Sequence, residues 1–333
     1  MIKHFIAFSM VMFLIACKPE TEAPDVSHIE VNPALIRFEQ EMFSDTGNIE
    51  LIIHNLQNKY PAFTDVFLHR IIADPQYDND VFLSSKHFVQ DSFIFTLYKD
   101  CEHLYQDFSK QEQEIKASLR YFKYYFPDKP VPDIYTCVTG FDFGSFTVGD
   151  DILGISLDFY LGADYPSYHP DIFPVYIVRT MTEDYLVAKS IQALVANYIG
   201  ETTGTRLLDY MIRNGTELYI KKKLLPGAPD EIIFEYSSAQ LKWLEENESE
   251  IWAHLIREDL LMSVNYRSFQ KIISPSPNVP NMPPDAPGRL GNWIGTKIVT
   301  QFMDRNQDLS LDDLIGIHDA QKILAESRYR PRQ

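Results

Sequence analysis

The chain has 333 residues, 45% of them apolar and 13% aromatic, which is ample material for a packed core. Lys and Arg total 30 against 47 Asp and Glu, and the formal net charge of −17 argues against a broad nucleic-acid surface or electrostatic docking on anionic lipid. Three cysteines are too few for a disulfide framework.

At the N-terminus, Lys3 precedes the apolar run Phe5–Ile15. Such a run rises about 16 Å as a helix, short of a hydrocarbon core of about 30 Å, so it reads as the hydrophobic stretch of a signal peptide. Leu14-Ile15-Ala16-Cys17 resembles a bacterial lipobox: small Ala16 fits the peptidase cleft and the Cys17 thiol accepts lipid. Residues 1–16 are then the signal peptide, and residues 17–31 are the lipidated Cys17 with a flexible tether rich in Pro, Glu and Thr. Loss of Lys3 takes the net charge from −17 to −18. Several acyl chains on one residue hold a protein stably at a membrane. Lys18 after the cysteine favours the outer membrane over the inner. Cys101 and Cys137 remain, either as a disulfide in an oxidising compartment or as two buried thiols.

From Asn32 to about Phe126 the spacing predicts a helical lobe, with the stripe Leu35, Phe38, Met42, Phe43, a second at Leu51, Ile52, Leu56, Tyr60, and a third through Phe93, Leu97, Cys101, Leu104, Phe108. Pro61 and Pro75 break the run. Asp133–Phe141, Ser145–Val148 and Ile152–Phe159 then read as two or three short strands with hairpin turns. After Tyr160 the helical period returns. Pro174–Tyr198, Leu207–Leu224, Ala239–Met262, Trp293–Met303 and Leu311–Glu326 are the candidates, with a capping box of Ser237 and Gln240 before the third. Ser274–Gly288 holds six prolines and must be irregular. Helices, a small sheet, then helices is an α+β order, mainly helical with a small antiparallel or mixed sheet. The one expected boundary, near Pro127–Pro132, separates lobe 32–126 from residues 127–333 within one compact body.

No two histidines stand at i, i+4, so the chain lacks H-E-x-x-H. Glu250, His254 and Glu258 share a helix face that reads as solvated. Asp304 to Ser310 is similar to half an EF-hand loop, but Leu309 stands at the glycine position and Ile315 at the bidentate glutamate position. Asp308 or Ser310 therefore reads as a helix cap. No nucleophile elbow, P-loop or dinucleotide fingerprint is present. Trp243, Trp252 and Trp293 read as core. Two polar features stand out. Glu248 falls on the apolar stripe Leu244, Ile251, Leu255 and needs a buried partner. The segment Asp158–Asp171 packs Asp158, Tyr165, Tyr168 and His169 into one loop, the kind of loop that lines a site or packs as an aromatic plug.

The segments YPSY (165–168), YIVRTMTEDYLVAKSIQALV (176–195), LLDYMIRNGTELYIKKKLLPGAPDE (207–231), YSSAQLKWLEENESEIWAHLI (236–256) and PGRLGNWIGTKIVTQFM (287–303), in this order, resemble the gliding-motility lipoprotein family GldB of the Bacteroidetes. The most specific are the run from Leu241 to Trp252 and Pro287–Gly295. The resemblance implies a periplasm-facing lipoprotein linked to gliding motility and type IX secretion, with envelope proteins of that apparatus as partners, no cofactor and no established catalysis. More distantly the pattern is similar to zincin-like metallopeptidases. Arg179, Glu183 and Asp184 lie on the helix where their histidines would sit, and Asn214 stands in place of the ligand glutamate, so the metal site would be lost. Glu183 also suits a capping box with Thr180. The expectation is a non-enzymatic binding or scaffolding body. Asp158, Tyr165, Tyr168, Arg179, Glu183, Asn214, Glu217, Glu248 and Arg289 are its candidate cleft residues, under the proline-rich loop. The alternative is an envelope hydrolase using Glu183 with Asp184, or the Asp158–Asp171 loop, in carboxylate acid–base chemistry.

Overall fold

Residues 23–332 are described by a computed structural model. The expected signal peptide and Cys17 lie outside the described residues. Part of the expected tether does not behave as one: Val26 and Val31 are buried, because their apolar side chains find the body of the protein.

The sheet has four strands in the order β1 (Leu35–Arg37), β2 (Asp133–Cys137), β4 (Ile152–Ser156), β3 (Ser145–Val148). β2 runs parallel to both β1 and β4, and β3 closes an antiparallel hairpin on β4. All of β4 is buried, as its continuous run Ile-Leu-Gly-Ile requires. β1 is a correction to the helical stripe expected from Leu35. A three-residue strand carries no readable period, and pairing Ile36 with Tyr135 satisfies backbone that a helix would have used.

The expected N-terminal helices follow β1 as α1 (Phe38–Met42), α2 (Ile49–Lys59), α3 (Pro61–Val66), α4 (Val81–Gln90), α5 (Ser92–Leu104) and α6 (Ser109–Tyr125). Pro61 sits in the first turn of α3, where its missing N–H costs nothing. Asp80 and Asp91 cap α4 and α5 with their carboxylates. After the sheet come α7 (Val175–Val178), α8 (Glu183–Ile199), α9 (Leu207–Leu224), α10 (Asp230–Phe234), α11 (Ser238–Glu246), α12 (Glu248–Arg257), α13 (Tyr266–Ile273), α14 (Leu290–Arg305), α15 (Leu311–Gly316) and α16 (Ala320–Ser327).

Three expected helices are broken. Pro174–Tyr198 divides between α7 and α8. Ala239–Met262 divides at Asn247, whose side-chain amide turns back on the Trp243 carbonyl. Leu311–Glu326 divides into α15 and α16. The capping box of Ser237 with Gln240 forms, and Ser310 caps α15 with Asp313. The box expected of Thr180 and Glu183 does not. Thr180 Oγ1 instead donates to the Ile177 carbonyl and accepts from Lys189 Nζ at 2.7 Å.

One apolar cluster runs from Val31 to Tyr329 and joins helices on both sides of Pro127 to the sheet. Its tightest seam is the crossing of α9 and α14. A Cβ on Gly215 would strike the Gly295 carbonyl, and one on Gly295 would strike the Met211 carbonyl. Only two glycines let these backbones meet, and that approach sets Asn214 beside Asn292. Among the described residues no helix is long and apolar enough to cross a membrane.

Candidate functional site

α8, α9 and α14 enclose a pocket of about 260 Å³. The turn Ile233–Tyr236 closes one side, and Ile273 and Pro275, at the start of the proline-rich segment, close another. Of the expected site residues, Asn214, Glu217 and Arg289 line it, joined by Gln192, Glu235 and Asn292. These side chains form one chain of polar contacts. Asn214 Nδ2 donates to Asn292 Oδ1 at 3.0 Å, and Asn292 Nδ2 donates to the Ile273 carbonyl at 3.0 Å. Glu217 pairs with Arg213 and accepts from Gln192 Nε2 at 2.6 Å. Gln192 Oε1 accepts from Lys221 Nζ at 2.8 Å.

Lys221 is wholly buried and donates also to the Ile233 carbonyl at 3.0 Å. It stands 4.0 Å from Glu235 Oε1, while Lys189 and Arg289 approach Glu235 Oε2 at 3.9 and 3.2 Å. One carboxylate is thus shared by three cations. Burial alone would raise the Glu235 pKa, but Arg289, Lys189 and Lys221 outweigh it and hold the carboxyl at about 2. Burial pushes Lys221 down to about 8, against the pull of Glu235 and with the help of Arg289 and Lys189. Burial lowers Lys189 as well. Glu235 sits in the left-handed region at φ 56°, directly after α10, so its carbonyl is free to accept from Arg179 Nη2 at 2.7 Å.

Arg179 also donates to Gln240 Oε1 at 3.0 Å, which ties α7 to the cap of α11. The remaining expected residues stand apart from the pocket. Asp158 is buried under the loop after β2, accepting the backbone N–H of Phe141 at 2.7 Å and of Thr139 at 3.2 Å. Burial lifts its pKa to about 6, against these hydrogen bonds. Tyr168 donates to the Asp158 carbonyl at 2.7 Å and packs with Phe141 and Phe173. Tyr165 donates to Asp100 Oδ2 at 2.7 Å. The Asp158–Asp171 loop is therefore a packed aromatic plug, not the wall of the pocket. Glu248 finds its buried partner in the Tyr329 hydroxyl at 2.8 Å. Cys101 and Cys137 are free, buried thiols.

Glu183 lines a second concavity, a groove of about 650 Å³ between α6, α8 and the turn from Leu224 to Ile232. Its floor is Ala117, Tyr121, Val187, Leu225 and Ile232, and its charged rim is Lys110, Glu114, Glu183 and Asp184. Gln111 Nε2 donates to Glu183 Oε2 at 3.3 Å, and the Gln111 side-chain Oε1 is buried without a partner among the described residues. Among the described residues no cluster of three His, Cys, Asp or Glu side chains could hold a metal ion.

Sequence reasoning missed Lys189, Gln192, Lys221, Glu235 and Asn292. Lys221 carried a signal. It follows Asn214 by seven residues and Glu217 by four, so of the three consecutive lysines it alone shares the inner face of α9.

No curated protein and no solved structure shows significant similarity to the chain. The sequence profile described as gliding motility protein GldB, a lipoprotein family, matches residues 19–331, nearly the whole described chain, and the protein belongs to that family.

Proposed function

We propose that this family member is a lipid-anchored, non-enzymatic component of the envelope machinery for gliding and type IX secretion. In this reading it faces the periplasm from the outer membrane and holds a partner protein in the groove of α6 and α8. The observation that carries the reading is the groove itself. It has an apolar floor, and its rim sets Glu114, Glu183 and Asp184 against Lys110. That surface suits an envelope protein presenting an apolar segment with a basic residue. The acids of the inner pocket support a non-catalytic role, since Glu217 and Glu235 are both held in ion pairs. A degenerate zincin-like body agrees with the sheet followed by α8 packed on α9, and with Asn214 engaged by Asn292.

The test is a photo-crosslinker placed at Pro226, an exposed residue of the groove, in gliding cells. An adduct with an envelope protein is expected, and it disappears when Ala117→Trp fills the groove. Ala117 is exposed, so the substitution spares the core. An adduct unchanged by Ala117→Trp, or none at all, refutes the reading. A carboxylate hydrolase is the second reading, because Glu183 and Asp184 stand together at the rim of that open groove. It requires that Glu183→Gln with Asp184→Asn abolish function, whereas a binding surface held mainly by its apolar lining loses only the modest affinity of those exposed rim charges, about 0.2–1 kcal/mol each.

A further inference from the structure

Positive charge gathers behind the inner pocket, whose own lining sets Arg289 beside Glu217 and Glu235. Lys189, Lys221 and Arg289 gather on the Glu235 carboxylate and Arg213 on Glu217, while Arg179 meets the Glu235 backbone carbonyl, within a chain of net charge −17. Arg213 is matched by Glu217. The other four cations share Glu235 alone, and Arg179 reaches only its carbonyl. Buried charges are expected to be paired, and one carboxylate, Glu235, answers the wholly buried Lys221 together with the part-exposed Lys189 and Arg289.

The pocket lining also carries the apolar or aromatic side chains of Leu218, Phe234, Tyr236, Ile273, Pro275 and Trp293. We propose that this pocket binds a small amphipathic anion, a carboxylate or phosphate head on a short apolar body, with the head against Arg289 and the body against Trp293. The anion supplies the counter-charge that Glu235 cannot give to four cations at once. Glu217 does not oppose it, because Arg213 and Gln192 already occupy that carboxylate. The pocket and the groove of α6 and α8 share no lining residue, so ligand binding and partner binding are separable.

Trp293 is a built-in reporter. In the full-length, detergent-solubilised chain carrying Trp243→Phe and Trp252→Phe it is the sole tryptophan. Its fluorescence is titrated at fixed ionic strength with hexanoate, with inorganic phosphate, and with hexanamide as the uncharged match. A saturable change with hexanoate, absent with hexanamide and weakened at least tenfold by Arg289→Gln, is expected. Phosphate acting alone would assign the site to the head group and would contradict the apolar half of the proposal. Leu218→Phe narrows the pocket without touching its charges and is expected to weaken hexanoate likewise, which keeps the test decisive if Arg289→Gln fails to fold. No saturable response to hexanoate, an equal response to hexanamide, or binding undiminished in the variants that fold overturns the proposal.

Discussion

Glu235→Gln is the most informative single substitution in the buried network. The carboxylate is shared by Arg289, Lys189 and Lys221 at 3.2, 3.9 and 4.0 Å, with its side chain 12% exposed. The amide preserves shape but leaves the cations without a formal counter-charge. Breaking a buried pair from one side costs about 3–5 kcal/mol. The pH dependence gives a second route to the magnitude. The folded carboxyl titrates near 2 against an ordinary 4.5, and 1.36 kcal/mol per pH unit makes its contribution about 3 kcal/mol. The sign follows from the direction. A carboxyl with a depressed folded pKa stabilises fully above its unfolded pKa, and the gain is lost as pH falls through the window from 4.5 to 2. Urea unfolding, followed together by far-UV dichroism and tryptophan fluorescence, measures wild type and variant across that range. The gap should be about 3 kcal/mol or more at pH 7 and should close towards pH 2. A variant within about 0.5 kcal/mol of wild type at pH 7 would refute the shared-carboxylate account.

Gly295→Ala drives a methyl into the Met211 carbonyl, and backbone cannot step aside as a side chain can, so a loss of about 3 kcal/mol or more is expected by thermal unfolding. Asp158 has a raised folded pKa, so it stabilises most below its ordinary value of 3.8 and the gain is lost as pH rises through about 6, by about 3 kcal/mol. Asp158→Asn should flatten that slope between pH 4 and 7, and an unchanged slope would contradict the burial argument. Tyr329→Phe removes the hydroxyl that satisfies the buried Glu248 and should cost about 1–3 kcal/mol in denaturant unfolding. Cys17→Ala should move the protein from the membrane to the soluble fraction of cell lysates, and retention in the membrane fraction would remove the acyl anchor from the account.

The legible parts of this chain are those where one local pattern is long enough to dominate. α9 occupies Leu207–Leu224 as its period predicts, and the six prolines of Ser274–Gly288 preclude a helix. β1 was not legible, because three residues have no period and their pairing is set by β2, about a hundred residues away. The break at Asn247 was hidden because the apolar stripe continues across it, while the competing side-chain hydrogen bond is a local choice. Within the site, Asn214, Glu217 and Arg289 were legible from their segments. Glu235 was not, since its role depends on a left-handed turn and on lysines from two other helices. The Asp158–Asp171 loop drew attention by its composition, and the same aromatics that suggested a site turn out to pack on one another.

If the groove works by binding and not by catalysis, colony spreading of chromosomal variants separates the two. Rim charge pairs contribute about 0.2–1 kcal/mol each, so Glu183→Gln with Asp184→Asn should leave spreading close to wild type. Loss of a general acid–base pair would cost a hydrolase about a hundredfold or more. Ala117→Trp, expressed at wild-type level, should abolish spreading. A double carboxylate variant that is folded and abundant yet does not spread, beside an Ala117→Trp strain that does, would contradict the account.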